Sequence, residues 1–229
     1  MTSEQKTSGF ERPKTAQVAV AEELRRAIAS GELPPGTQIL QERVAEQLGV
    51  SRVPVREALK RLEGEGRISY TPHQGYFVSK LDISELLEVY MIRNLLEAEA
   101  VRRSLPHLTE DDHVELQEGI LAVEEANRKD DLTELTAANR RFHFALIEPC
   151  GMPRLIRIIK GLWDTTDPYR SLYFTDARSR DAVDSEHRQI LKAILSGDTD
   201  QVISLLAEHR QGTIGSLTNL LDGNTSTAS

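Results

Sequence analysis

The stretch GVSRVPVREALKRLEGEG, Gly49 to Gly66, leaves the chain little choice of local structure. Ser51 reads as a helix N-cap whose hydroxyl accepts from amides of the first turn. Pro54 then falls within that turn, where a missing N–H costs nothing. Val55, Ala58, Leu59 and Leu62 follow at i, i+3, i+4 and i+7, so one helix face is buried, and Arg52, Arg56 and Lys60 form a row on the other. Just before it, QERVAEQLGV places Val44, Ala45 and Leu48 on a helix of about two turns, which Gly49 ends. Two short helices joined by a tight glycine-containing turn make a helix-turn-helix.

The flanks extend that unit. TAQVAVAEELRRAIASGELPPG predicts an amphipathic helix buried through Val20, Leu24, Ala27 and Ile28, stopped at Gly31 and by Pro34-Pro35-Gly36. After Gly66 the period changes. RISYTP and GYFVSK read as two short strands around PHQG, a wing with Gln74 and Gly75 at its tip. The second helix of such a motif presents its N-terminal residues to base edges in the major groove, where arginine grips guanine O6 and N7. Arg43, on the first helix, lies near the DNA backbone or the groove edge in that geometry, and His73 in the wing is placed near phosphate. The competing reading of the basic row is a solvated face supported by Glu57 and Glu63. The Gly turn, the cap, the early Pro and the wing favour DNA.

Charge is distributed in the same sense. Residues 1–80 hold 12 Lys and Arg against 10 Asp and Glu, and the remainder holds 16 against 26, within a net charge of -8. A faintly basic head on an acidic body fits one end meeting a polyanion. One cysteine, Cys150, rules out an internal disulfide and fits a reducing compartment. No apolar run approaches the roughly 18 residues of a membrane span, and the polar start lacks a signal-peptide core. These features predict a cytoplasmic protein with a flexible start over residues 1–9 and no membrane partner.

Beyond a short hinge at Lys80-Leu81-Asp82 the sequence predicts only helices, about six of them with short connections, forming an all-α bundle to residue 222 and a flexible tail over 223–229. One of them carries a Thr109 cap with Asp112 three residues on. Histidine is the informative residue in this half. Asn139 and His143 share a helix face at i, i+4, and His187 and His209 lie on the last two long helices, in SEHRQI and AEHRQG. Three imidazoles and an amide oxygen converging inside a bundle could hold a divalent transition metal. Satisfied core or surface histidines are the alternative. His107 and His113 read as surface, and Cys150 as a small buried residue.

Several stretches resemble known families. LRRAIASGELPPGTQI, ERVAEQLGVSRVPVREALKRLEGEG and PHQGYFV are similar to the GntR family of bacterial transcription regulators. The resemblance implies a winged helix-turn-helix over residues 10–79, with DNA contacts from Arg43, Ser51, Arg52, Pro54, Arg56 and Gly75. Val53 stands where Thr is commoner. NRRFHFALIEPCGMPRL and SEHRQILKAILSGDTDQVISLLAEHR resemble the FCD effector-binding domain of the FadR subfamily, over 80–222, and six helices fit its VanR-type branch. By that resemblance Asn139, His143, His187 and His209 hold the metal, Zn²⁺ by default with Ni²⁺ the alternative. Asn139 replaces the commoner Asp and removes one negative charge. A small organic acid would bind there. Arg93 matches a cavity-facing arginine, but it also stands at i, i+4 to Glu97 and could pair with it. Trp163, Tyr169 and Arg170 line that pocket or pack in the core.

An enzyme reading needs a general base beside such a metal. Glu186 and Glu208 adjoin His187 and His209, but on a helix the next residue points about 100° away, so neither is expected to be aimed. No nucleophile elbow, P-loop or dinucleotide fingerprint occurs. The expectation is therefore a homodimeric DNA-binding regulator, a repressor relieved by its ligand, on a pseudo-palindromic operator. Metal-independent sensing and, further off, a metal-dependent hydrolase are the alternatives.

Overall fold

The structure is a computed structural model that describes residues 15–80 and 83–225. The expected flexible start and the Leu81-Asp82 part of the hinge lie outside the described residues.

The first region is a winged helix-turn-helix. Helix α1 (Ala16–Ala29) begins at Thr15, whose hydroxyl accepts from the Val18 amide, and ends where Gly31 takes φ +79°. Helices α2 (Gln41–Gln47) and α3 (Arg52–Gly64) are joined through Gly49 at φ +64°. The expected apolar face of α3 is fully buried: Val55, Ala58, Leu59 and Leu62 pack with Val20, Leu24, Ile28 and Val44. Strands β2 (Ile68–Thr71) and β3 (Gly75–Val78) form the wing hairpin. A third strand, β1 (Gln38–Ile39), pairs antiparallel with β3 and was not anticipated. Two residues carry no readable period.

One expected detail is corrected. Ser51 occupies the N-cap position of α3 with extended backbone, but its side chain makes no cap hydrogen bond. Pro54 removes one of the two amides it could have reached. An N-cap hydroxyl bonds the amide of the second or third helical residue, and the third here is Pro54, which has no N–H.

The second region is the six-helix bundle: α4 (Ile83–Ser104), α5 (Glu110–Arg128), α6 (Leu132–Ile147), α7 (Pro153–Tyr173), α8 (Ala177–Leu195) and α9 (Thr199–Thr225). Helix α9 runs past residue 222, and 226–229 lie outside the described residues. Thr109 and Asp112 form a full capping box at the start of α5. Two apolar clusters fill the bundle. One, around Phe142, Trp163 and Val202, includes buried Cys150; the other surrounds Tyr90, Tyr169 and Phe174.

The two regions meet along α7. The Ser171 hydroxyl donates to the Ala29 carbonyl at the end of α1, and Gly31 lies so close that an added Cβ would stand 3.1 Å from Ser171 Cβ. Arg67, just before β2, pairs with Asp164 on α7 at 2.7 Å.

Candidate metal centre and nucleic-acid interface

On the head, Arg43, Ser51, Arg52 and Arg56 are exposed, and Pro54 and Gly75 are half-exposed. The basic row is not bare. Arg52 meets Glu42 at 3.1 Å, and Glu57 lies 3.4 Å from Arg56 and 3.5 Å from Lys60. Of the two acids expected to support the row, Glu57 does so, Glu42 joins it from α2, and the arginines still face solvent. Exposed pairs of this kind contribute little to stability and exchange partners readily. At the wing, His73 (φ +65°) and Gly75 (φ +96°) shape the turn, and Gln38 Nε2 donates to the Gln74 carbonyl at 2.6 Å. Strand β1 therefore braces the wing tip.

In the body, α6, α8 and α9 bring His143, His187 and His209 together. Ring centroids are 5.0 to 5.3 Å apart, and one nitrogen from each lies within 4.8 Å of the other two. Asn139, one turn before His143, is fully buried beside them on α6. Phe142 and Trp163 rings pack against His187 and His143. His107 is exposed and His113 half-exposed, as expected.

Electrostatics keep these rings neutral. Burial, followed by the neighbouring imidazoles, holds His143 well below its usual value; burial does the same for His187 and, with the Arg170 charge next, takes His209 down to about 3. His209 Nδ1 lies 2.6 Å from Glu186 Oε2. With His209 neutral, its Nδ1–H donates to that carboxylate and Nε2 keeps its lone pair. Glu186 is thus aimed at a cluster histidine, contrary to expectation. The contact is made across two helices, to His209 rather than to its own neighbour His187.

The residues fit a metal ion. His143 Nε2, both nitrogens of His187, His209 Nε2 and both polar atoms of Asn139 are buried without a hydrogen-bond partner. Buried polar atoms are almost always bonded, so this concentration at one point is chemically meaningful. The Glu186–His209 contact has the form of the carboxylate–histidine support that fixes a ligand's tautomer.

Beside the cluster lies an ionic network. Arg93 Nε donates to Glu97 at 2.9 Å and Nη1 to Thr166 at 2.8 Å. Arg210 and the Trp163 indole also donate to Glu97, at 2.7 and 2.8 Å. Burial works to raise the Glu97 carboxyl, but Arg93 and Arg210 outweigh it and hold it low. So the i, i+4 ion pair of Arg93 with Glu97 is formed. Trp163 is fully buried under the Arg93 guanidinium, 4.0 Å away, and Tyr169 is buried in the second bundle cluster. Arg210 escaped sequence reasoning, and so did the contacts that Glu97 makes with Arg210 and Trp163 and that Glu186 makes with His209. Arg210 pairs with a residue 113 positions away, and only its adjacency to His209 hinted at a place in the site.

Comparison with known proteins agrees with both regions. Residues 16–78 match the model of the gntR family of bacterial regulatory proteins, and residues 88–212 match that of the FCD domain. The HTH-type transcriptional regulator McbR of Escherichia coli is 33% identical over 201 residues, covering 86% of this chain and 90% of that protein. The HTH-type transcriptional repressor RspR of the same organism is 27% identical, over 82% of each. Among solved structures, E. coli McbR/YncC superposes with a TM-score of 0.81 at 29% identity, over 91% of this chain and all of that one. A GntR regulator from Rhodococcus sp. RHA1 shares the fold, with a TM-score of 0.79 at 22% identity over 90% and 99% of the two chains. No described helix is long and apolar enough to cross a membrane. A winged head and a six-helix body, each matched by its own family model, make this chain a DNA-binding transcription regulator of the GntR family with an FCD domain and not an enzyme.

Proposed function

We propose that the chain is a homodimeric, ligand-relieved repressor of the VanR-like branch, residues 10–79 reading a pseudo-palindromic operator and residues 80–222 sensing a small organic acid. Arg43, Arg52 and Arg56 contact DNA, with Ser51, Pro54 and Gly75 at the same surface. The Ser51 hydroxyl, unspent on its own helix, is free to meet a phosphate. Asn139, His143, His187 and His209 hold a divalent transition metal, Zn²⁺ by default and Ni²⁺ the alternative. When bound, the metal supplies a Lewis-acidic anchor for a carboxylate oxygen. Glu186 keeps His209 in the tautomer that presents Nε2. Arg93, Trp163 and Tyr169 border the effector site. The acid favours one arrangement of the bodies and re-spaces the two heads through the α7 seam.

The observation that carries the sensing role is the buried three-histidine cluster whose inward nitrogens have no protein partner. Metal analysis of untagged protein tests it: about one transition-metal ion per chain is expected, and none after His143→Ala. Retention of stoichiometric metal in that variant rules the ligand set out. Neutral Asn139 favours a second reading, in which a metal-free dimer binds DNA and the histidines meet the acid directly. For the head, Arg52→Ala is expected to cost about 1–3 kcal/mol of discrimination at one base pair. Equal losses on specific and nonspecific DNA, by fluorescence anisotropy, remove its base-reading role.

A further inference from the structure

We infer that Val53 reads a thymine methyl group in the operator, a role that rests on the proposal above that α3 meets DNA. Among the described residues of the head it is the most exposed large apolar side chain, at 59%. Exposure alone carries nothing, since single apolar side chains are ordinary on a surface. Placement sets this one apart. Val53 is the second residue of α3, in the turn whose side chains a recognition helix presents to base edges. At 3.6 residues per turn it points nearly opposite the buried face of Val55, Ala58, Leu59 and Leu62, straight away from the head core. Arg52 precedes it and Arg56 stands one turn on, on the same side, both exposed. Val53 belongs neither to the head core nor to the half-buried apolar side chains packed against that core.

Nothing inside the protein accounts for valine at this position. A β-branched side chain lowers helix propensity, and here it has no core to pack on. A residue that breaks a local rule without compensation in the fold points to what the fold meets. Arg52, Arg56 and Lys60 bring a polyanion to this face, and in their midst Val53 offers neither donor nor acceptor. Of the groups that distinguish one base pair from another in the major groove, only the thymine 5-methyl is apolar. Valine set over donors and acceptors strips water from them and returns nothing. Over thymine it buries methyl against methyl. Its one favoured helical rotamer leaves little side-chain freedom to lose on docking. Each half-site therefore carries a thymine beside the bases that Arg52 and Arg56 meet.

The test begins with duplexes selected by the full chain from random DNA. Each thymine is replaced in turn by deoxyuridine, which removes the methyl and keeps every hydrogen-bonding group. Affinity is read by fluorescence anisotropy at one fixed salt concentration. One thymine per half-site should respond, with affinity falling about fourfold for each methyl lost. Val53→Ser should abolish the response at that thymine and at no other. The variant should melt with the wild type and bind nonspecific DNA equally well, since no core contact is removed. Val53→Thr, which keeps one methyl, should fall between. A flat deoxyuridine scan overturns the proposal. So does a response that Val53→Ser leaves unchanged, which assigns the methyl to another side chain. The reading beneath it fails separately, if selection recovers no preferred sequence or if Arg52→Ala lowers specific and nonspecific binding equally. Relaxed base preference in Arg52→Ala beside a flat scan keeps α3 in the groove and removes Val53 alone.

Discussion

The interiors of the two regions are built from different materials. The head core holds only apolar side chains and Tyr76, and every described charged residue there keeps contact with solvent. The body buries Arg93, Glu97, Asp167, Arg170 and Arg210, along with Asn139 and three histidines. The head acts on a large polyanion through its outer surface, so its interior need only hold shape. On the proposed sensing function the body encloses something small, and its buried polar groups then lie where such a ligand would be met. The cost follows the location. Apolar packing tolerates adjustment, whereas a buried ionic network stands or falls with the pairing of each member.

Substitutions can break or sharpen this contrast. Glu97→Gln should have the largest effect. It leaves Arg93 and Arg210 without their shared counter-charge, and about 3–5 kcal/mol of body stability should go, measured by urea unfolding of the metal-free chain. A cost under about 1 kcal/mol would mean that the network is not held by pairing. Leu59→Ala, at the centre of the head core, should cost about 2–4 kcal/mol. Metal content should survive it and operator binding should not. If both were lost, the regions would not be energetically distinct. Asp164→Asn breaks the seam pair with Arg67, which is only partly shielded from solvent. It should cost about 1 kcal/mol or less, yet separate the calorimetric transitions of head and body. Unchanged cooperativity would place the coupling in the Ser171–Ala29 contact and the packing around it.

Legibility in the sequence divided along the same line. Helices α3 to α9 announced themselves because a period of 3.6 is a local property and the caps lie within four residues of what they cap. The His143–Asn139 spacing is local too, so that half of the candidate metal site could be read directly. Strand β1 is too short to carry a period, and its partner β3 lies 37 residues on. The failed Ser51 cap needed two rules applied together, the preference for serine and the missing N–H of Pro54. Arg93–Glu97 was readable as an i, i+4 pair. The pairing of Arg210 with that same Glu97 was not, because it spans 113 residues, nor was the turning of Asp167 to Arg140. Pairing within one helix is written in spacing, but what remains unpaired is a property of the packed whole.

The single thiol of Cys150 sits in the body core, among Ile147, Leu155 and Phe144, and is 8% exposed. A thiol reagent meets little of it until that core opens. Its labelling rate is therefore a clock on breathing of the body alone. Wing fraying and movement of α3 leave it untouched. The chain thus carries its own one-site reporter, able to time the body's motions in the presence of DNA or an organic acid without any added probe.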